Sequence, residues 1–360
     1  MNKKILLNPG PASTSKTVKL SMIKPDICPR VNEFGLEIKN VREELTNLFA
    51  NKLYTTTLIS GSGTASIEAV ISSVVSDNKK ILIINNGSYG KRILEIAQTY
   101  NLDIIEFISS SELPVNYSEL ENIIVNTKDI KYAAIVHSET SSGLLNDINK
   151  FYSITSKYNI VSIVDAMSSL GAINIDLKKT KIDYLCASAN KNIQGMPGIS
   201  FVISKKKALE KIKSKKAKTY YLDLYSENNF QEKNNQTRFT PVISSIYALR
   251  QALTELKDEG IENRYKRYSN NWDCLLKGLS KLNIEPLFET KNQSKIITLY
   301  KLPEGISFID LSEFMYKNNI TIYPSKNQND NCFRLSTIGD LKEEDIKYVI
   351  KKFNEYFQIR

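Results

Sequence analysis

The sequence predicts an α/β fold, a mostly parallel seven-stranded sheet followed by a smaller α+β unit. Three observations carry that reading. Seven short runs rich in Val, Ile, Leu and Thr recur between residues 54 and 204. Helical patterns separate most of them, and strand–helix alternation of this kind builds a parallel sheet covered on both faces. After about residue 260 the alternation gives way to short strands and helices in a different order.

Taken in order, the N-terminal stretch reads as a loop, because Pro9, Pro11, Pro25 and Pro29 break any longer element. A helical pattern runs from about Glu37 to Asn51. "YTTTLIS" is the first strand, and "GSG" then turns the chain into the apolar helix "TASIEAVISSVV". "KILIINN", "LDIIEFI", "YAAIVHSET", "VSIVDAMSS", "DYLCASAN" and "GISFVIS" are the other six. They are continuous apolar runs rather than alternating ones, as expected of strands buried on both faces. Residues 240–282 read as one or two long helices. "SKIITLYKL", "ITIYPS" and "CFRLSTI" are then strands, and "SFIDLSEFMYKN" and "EEDIKYVIKKFNEYF" are helices. These runs divide the chain into a large domain, 1–255, which includes an N-terminal substrate-entrance segment, and a small domain, 256–360.

Composition narrows the class. No run of about 18 apolar residues exists to cross a membrane. The apolar run at Ile5–Leu7 is too short for a signal peptide. Cys28, Cys186, Cys274 and Cys332 are scattered with no CxxC, which favours reduced thiols in a cytoplasm over disulfides or a bound metal. Lys and Arg outnumber Asp and Glu by 49 to 39. Much of the excess lies in "SKKKALEKIKSKKAK", where Ala208, Leu209 and Ile212 have helical spacing, so its lysines read as a solvated helix face. No aromatics interleave with them to stack on bases, so no nucleic-acid partner is expected. The positive field suits small anionic substrates instead.

Ligands of open α/β sheets bind beyond the carboxyl ends of the strands. Nearly every unusual polar cluster lies there: Gly61–Thr64, Asn86–Gly90, His137–Ser142, Asp165–Ser169 and Ser188–Lys191. "SGSGT" is either a plain tight turn or a phosphate cup at a helix N-terminus. Asp165 is either a helix cap or a buried partner for a cation. Tyr89 either packs or stacks on a planar ligand. Lys191 stands between a buried strand and the turn "NIQGMPG", where a desolvated amine suits Schiff-base chemistry. His137, the sole histidine, is a packing residue or a base. Together these residues describe one ligand, pyridoxal 5′-phosphate. It needs a lysine for its aldehyde, a carboxylate for its ring nitrogen, a phosphate cup and a flat neighbour for the ring.

The same stretches resemble a known family. "LLNPGPASTSKTVK", "PDICPR", "SGSGTASIEA", "NGSYGKR", "HSETSSGLLNDI", "VDAMSSLGAINID", "SANKNIQGMPG", "RFTPV" and "CFRLSTIGDL" resemble the class V aminotransferases of fold type I. The branch most resembled is the one acting on aminoethylphosphonate and pyruvate. The resemblance implies that Lys191 bears the cofactor and shuttles the substrate proton, that Asp165 pairs with the ring nitrogen and that Tyr89 stacks on the ring. Ser62, Gly63 and Thr64 are implied to cup the phosphate, and Thr140 to contact the region of the ring hydroxyl. A homodimer with a shared active site is implied, Thr240 completing the neighbour's phosphate site. Arg334 is the implied grip on the substrate's acid group, with Arg30 a second candidate. The implied reaction yields phosphonoacetaldehyde and L-alanine. The alternatives are an alanine/serine–glyoxylate aminotransferase, a cysteine desulfurase with Cys332 as its thiol, and an inactive binding protein on the same fold. Thr140-Ser141-Ser142 stands where a run of threonines is expected, and Val31 follows Arg30 where an acidic residue is expected; both lie toward the substrate entrance.

Overall fold

The computed structural model describes residues 3–325 and 331–358. The N-terminal part holds β1 (Ile5–Leu6), α1 (Lys16–Leu20) and α2 (Asn32–Phe49). The sheet region follows with β2 (Tyr54–Ser60), α3 (Gly63–Val74), β3 (Lys80–Asn85), α4 (Ser88–Thr99), β4 (Ile104–Ile108), α5 (Tyr117–Asn126) and β5 (Ile130–Val136). It continues through α6 (Ile148–Lys157), β6 (Val161–Asp165), β7 (Tyr184–Ser188), β8 (Ile199–Lys205), α7 (Lys206–Glu210) and α8 (Leu224–Asn234). Two long helices, α9 (Ile243–Glu259) and α10 (Ile261–Ser280), lead to β9 (Ile297–Lys301), α11 (Phe308–Lys317), β10 (Ile320–Thr321), β11 (Tyr323–Pro324), β12 (Cys332–Ser336) and α12 (Glu343–Gln358).

The seven expected strands form one sheet in the order β2-β8-β7-β6-β5-β3-β4. β4, β3, β5, β6 and β7 are parallel neighbours, while β8 runs antiparallel to both β7 and β2. Two reversals leave β2 pointing the same way as β7. Its carboxyl end, Ser60, pairs with Ile199, and Ser188 at the end of β7 pairs with Ser200. The carboxyl ends of β2, β3, β5, β6 and β7 therefore share one edge of the sheet, although residues between 60 and 188 separate them in sequence.

Strand alternation sorts side chains to the two faces. On β3, Leu82 and Ile84 join the core under α2, α6 and α9, whereas Ile81 and Ile83 join the core under α3 and α4. α2 is amphipathic because Phe34, Ile38, Val41, Leu45 and Phe49 recur on one stripe, and that stripe is buried. Helix starts carry local signals: Ser15, Asn116, Asp147, Asp223 and Ser307 each accept a backbone N–H of the first turn.

A third core gathers Leu275, Leu279, Tyr300, Leu311, Phe333, Val349 and Phe353 over the sheet β11-β12-β9. Ile5 and Leu7 join it, because β1 pairs in parallel with β10 through Ile5 and Ile320. The sequence reads as loop there; a two-residue strand is decided by its distant partner, not by local pattern. The basic segment also differs from a simple solvated helix. It is helical only over Lys206–Glu210. Ala208, Leu209 and Ile212 are buried, and Lys215 donates back to Val74 O (2.9 Å) and Ser76 Oγ (2.7 Å). Among the described residues, no helix is long and apolar enough to cross a membrane.

Candidate active site

At the shared sheet edge a cavity of about 260 Å³ is lined by Ser62, Gly63, Thr64, Tyr89, Arg92, Asp165, Met167, Ser188, Asn190 and Lys191, among others. Six of the residues singled out by sequence thus meet in one place. Each arrives from a strand end: Ser62–Thr64 after β2, Tyr89 after β3, Asp165 on β6 and Lys191 after β7.

Lys191 is held on three sides. Its Nζ donates to Ser168 Oγ at 2.8 Å and lies 5.4 Å from the centre of the Tyr89 ring. Its stem lies against Gly10; a Cβ at Gly10 would come within 3.2 Å of Lys191 Cγ and Cε. Its turn closes through Gln194 N–H to Lys191 O (2.9 Å). Gln194 takes the left-handed conformation, with φ 64°, and its amide donates to Tyr268 Oη at 2.6 Å. Arg264, buried on α10, donates to Asn192 O (2.8 Å) and Ile193 O (3.3 Å). The turn after the lysine is therefore fixed by a helix some 70 residues away in sequence.

Asp165 is buried, and its Oδ1 accepts Met167 N–H at 2.9 Å. Burial pushes its carboxyl up to about 6, which Met167 N–H, Lys191 and Arg92 offset only in part. A further cation or N–H donor at this carboxylate would restore its charge. The start of α3 also lines the cavity, with Ser62 as N-cap, and the Ser62 side chain makes no capping bond. The backbone N–H groups of a first helical turn form a seat for an anion. A Cβ at Gly63 would lie 2.6 Å from Met167 Sδ, so a larger residue there would have to displace the end of that side chain.

Thr140 is buried, with Oγ1 2.5 Å from Ser168 Oγ. Arg334 on β12 is 2% exposed. It donates from Nε to Pro324 O (3.1 Å) and from Nη1 to Thr140 O (3.5 Å), and its guanidinium lies 5.1 Å from the Tyr323 ring centre. Burial lowers its pKa, yet a guanidinium stays charged. Thr140, Arg334, Arg30 and Thr240 are not among the residues that line this cavity. Arg30 donates to Thr237 O (2.6 Å) and Arg238 O (3.2 Å), and exposed Thr240 borders a separate small pocket with Ser60 and Phe239. His137 is buried, its Nδ1 2.9 Å from Ser169 Oγ, and burial lowers its pKa to about 4. It is a neutral hydrogen-bonded residue outside the Lys191 cavity. The four cysteines are free, and none lines that cavity.

Three contributors were not singled out from sequence. Ser168 links Thr140 to Lys191. Gly10 makes room for the lysine's stem. Arg92, one turn beyond Tyr89 on α4, sets its guanidinium 4.7 Å from that ring's centre and Nη1 3.4 Å from Thr64 Oγ1. The i, i+3 spacing of Tyr89 and Arg92 was the available signal.

The aminotransferase class-V family model matches residues 26–324. The chain belongs to the class-V aminotransferases. A 2-aminoethylphosphonate–pyruvate transaminase of Bacillus thuringiensis is 40% identical over 97% of this chain and 96% of its own length. One of Bacillus mycoides is 39% identical over the same shares. Among solved structures, the ureidoglycine–glyoxylate aminotransferase of Bacillus subtilis superposes with a TM-score of 0.91 at 22% identity, covering 99% of this chain and 93% of that one. The alanine–glyoxylate aminotransferase of Nostoc sp. gives the same TM-score and identity over 99% and 95%. These two show the fold alone. Class-V aminotransferases work with pyridoxal 5′-phosphate, and the cavity fits it. The cavity offers an amine at Lys191, a buried carboxylate that lacks a full counter-charge at Asp165, and an anion seat at α3.

Proposed function

We propose that this aminotransferase moves the amino group of 2-aminoethylphosphonate to pyruvate, giving phosphonoacetaldehyde and L-alanine. The observation that carries the reading is the 39–40% identity to transaminases of that name over 97% of the chain. In this reading Lys191 holds the cofactor's aldehyde and Asp165 its ring nitrogen. Tyr89 faces the ring, Thr140 its hydroxyl region, and Ser62, Gly63 and Thr64 the phosphate. When bound, the cofactor supplies an electron sink for the substrate carbon that loses its proton.

The chain's own residues do the rest. Lys191 Nζ, directed by Ser168, takes that proton and returns it elsewhere on the substrate. The paired donors of Arg334 grip phosphonate in one half-reaction and carboxylate in the other. Its partners Pro324 O and Thr140 O fix the fork's orientation. Arg30 serves as a secondary anion contact. The net charge of +10 favours the approach of both anions.

The active unit in this reading is a homodimer in which Thr240 of each chain completes its neighbour's phosphate seat; its exposure within one chain supports this. In this reading residues 1–255 make up the cofactor domain and 256–360 the small domain, with Ile5 and Leu7 packing into the core of the latter and Leu256, on α9, into that of the former. Four free cysteines suit a reducing cytoplasm.

The test is to follow the cofactor's visible band in separate half-reactions. Aminoethylphosphonate is expected to bleach it and pyruvate to restore it, and Arg334→Lys to slow both. Bleaching by alanine or serine and recovery with glyoxylate, with aminoethylphosphonate inert, would give the site to the glyoxylate-using aminotransferases.

A further inference from the structure

Glu139 is completely buried beside the cavity yet does not line it. Its Oε2 accepts Tyr89 N–H at 3.1 Å and Gly90 N–H at 3.2 Å; Oε1 lies 3.3 Å from Tyr89 N. Oε1 also accepts Ser141 N–H (3.1 Å) and the Ser141 hydroxyl (2.5 Å). Ser141 Oγ in turn accepts Ser88 N–H at 3.1 Å. The first three amides of α4 are thus capped by the loop after β5. The helix's own N-cap, Gly87, has no side chain, and a Cβ there would sit 2.4 Å from Glu139 Cγ.

A buried carboxylate is costly unless several donors take its charge, and a helix N-terminus is favourable ground for it. An ordinary Ser or Asp cap would accept from only one or two of these amides and would tie α4 only to its own turn. Glu139 ties it to a different wall of the cavity. The next residue, Thr140, meets Ser168 Oγ, which accepts Lys191 Nζ, and Thr140 O accepts from Arg334. One connected path therefore runs from the backbone of Tyr89 through Glu139 and Thr140 to Lys191 and Arg334.

We propose that Glu139 is a positioning residue that keeps the Tyr89 ring in register with Lys191. This rests on the reading of Tyr89 as the platform for the cofactor ring. Glu139→Gln keeps the side chain's shape but leaves one acceptor oxygen and sets an amide NH₂ against N–H donors, those of α4 or that of Ser141.

The test measures cofactor dissociation constants by titration of the dimeric enzyme, together with visible circular dichroism of the bound cofactor. Glu139→Gln is expected to weaken cofactor binding about tenfold or more, as loss of hydrogen bonds to a charged acceptor does, and to reduce the visible dichroism. If Glu139 acts through Tyr89, its effect largely vanishes in a Tyr89→Leu background, leaving the double variant within about twofold of Tyr89→Leu alone. Ser141→Ala, which removes one donor to Glu139 and the acceptor for Ser88, is expected to act in the same direction, more weakly. It carries the test if Glu139→Gln does not fold. Additive effects in the double variant would overturn the inference. So would unchanged binding and dichroism in Glu139→Gln and Ser141→Ala while Tyr89→Leu changes both. No change in Tyr89→Leu would remove the platform reading, and the inference with it.

Discussion

Replacing Asp165 by Asn should stabilise the cofactor-free enzyme while loosening its hold on the cofactor. The carboxyl's pKa rises from 3.8 to about 6 in the folded chain because burial disfavours its charge. A raised carboxyl pKa means that the folded state binds more protons than the unfolded state between those values. Stability therefore falls as pH rises from about 4 to 6, and the whole penalty is present above 6. At about 1.4 kcal/mol per pH unit the penalty is about 3 kcal/mol. Asn keeps an oxygen for Met167 N–H and carries no charge, so it escapes the penalty. With an unfolding entropy of about 2.1 cal/mol/K per residue, about 3 kcal/mol in a chain of 360 residues raises Tm by about 4 °C. The assay is thermal unfolding of cofactor-free wild type and Asp165→Asn at pH 5 and pH 8, paired with cofactor titration. The variant's advantage should appear at pH 8 and shrink toward pH 5. Its cofactor dissociation constant should rise by about tenfold or more, the worth of a hydrogen bond to a charged group. Equal Tm differences at both pH values, or unchanged cofactor affinity, would refute the argument that Asp165 is a carboxylate awaiting a cationic partner.

Reduction of the loaded enzyme with borohydride should fix the cofactor on Lys191, read by peptide mapping; an adduct on another lysine would displace Lys191 from its role. Thr240→Ala should leave the proposed dimer intact by light scattering but weaken cofactor binding several-fold, whereas a fully active monomer would contradict a shared phosphate seat. His137, with its pKa lowered to about 4, is neutral through the working range, so His137→Gln should leave the pH profile of activity between 6 and 8 unchanged. Because unfolded histidine titrates near 6.5, wild-type stability should fall as pH drops from about 6.5 to 4, and the variant should lack that part of the fall.

Much of this molecule follows from local sequence. Strands such as Lys80–Asn85 and Tyr184–Ser188 are legible because buried parallel strands must be apolar on both faces. Strand ends are where ligands sit, so Ser62, Tyr89, Asp165 and Lys191 stand out by position and chemistry together. What tertiary structure alone decided is how residues without a local signal are used. Ile5–Leu6 becomes a strand only because Ile320 pairs with it. Gly10 matters because Lys191 lies against it, and Arg264 because it reaches the carbonyls of Asn192 and Ile193 from α10. Glu139 belongs in sequence to the His137–Ser142 cluster but has no signal of its own there; only folding sets it against the amides of α4. Periodicity and turn chemistry are properties of neighbours along the chain and can be read there. Capping from a distance, steric room and burial of a charge are properties of neighbours in space, which come into being when the sheet brings its strand ends together.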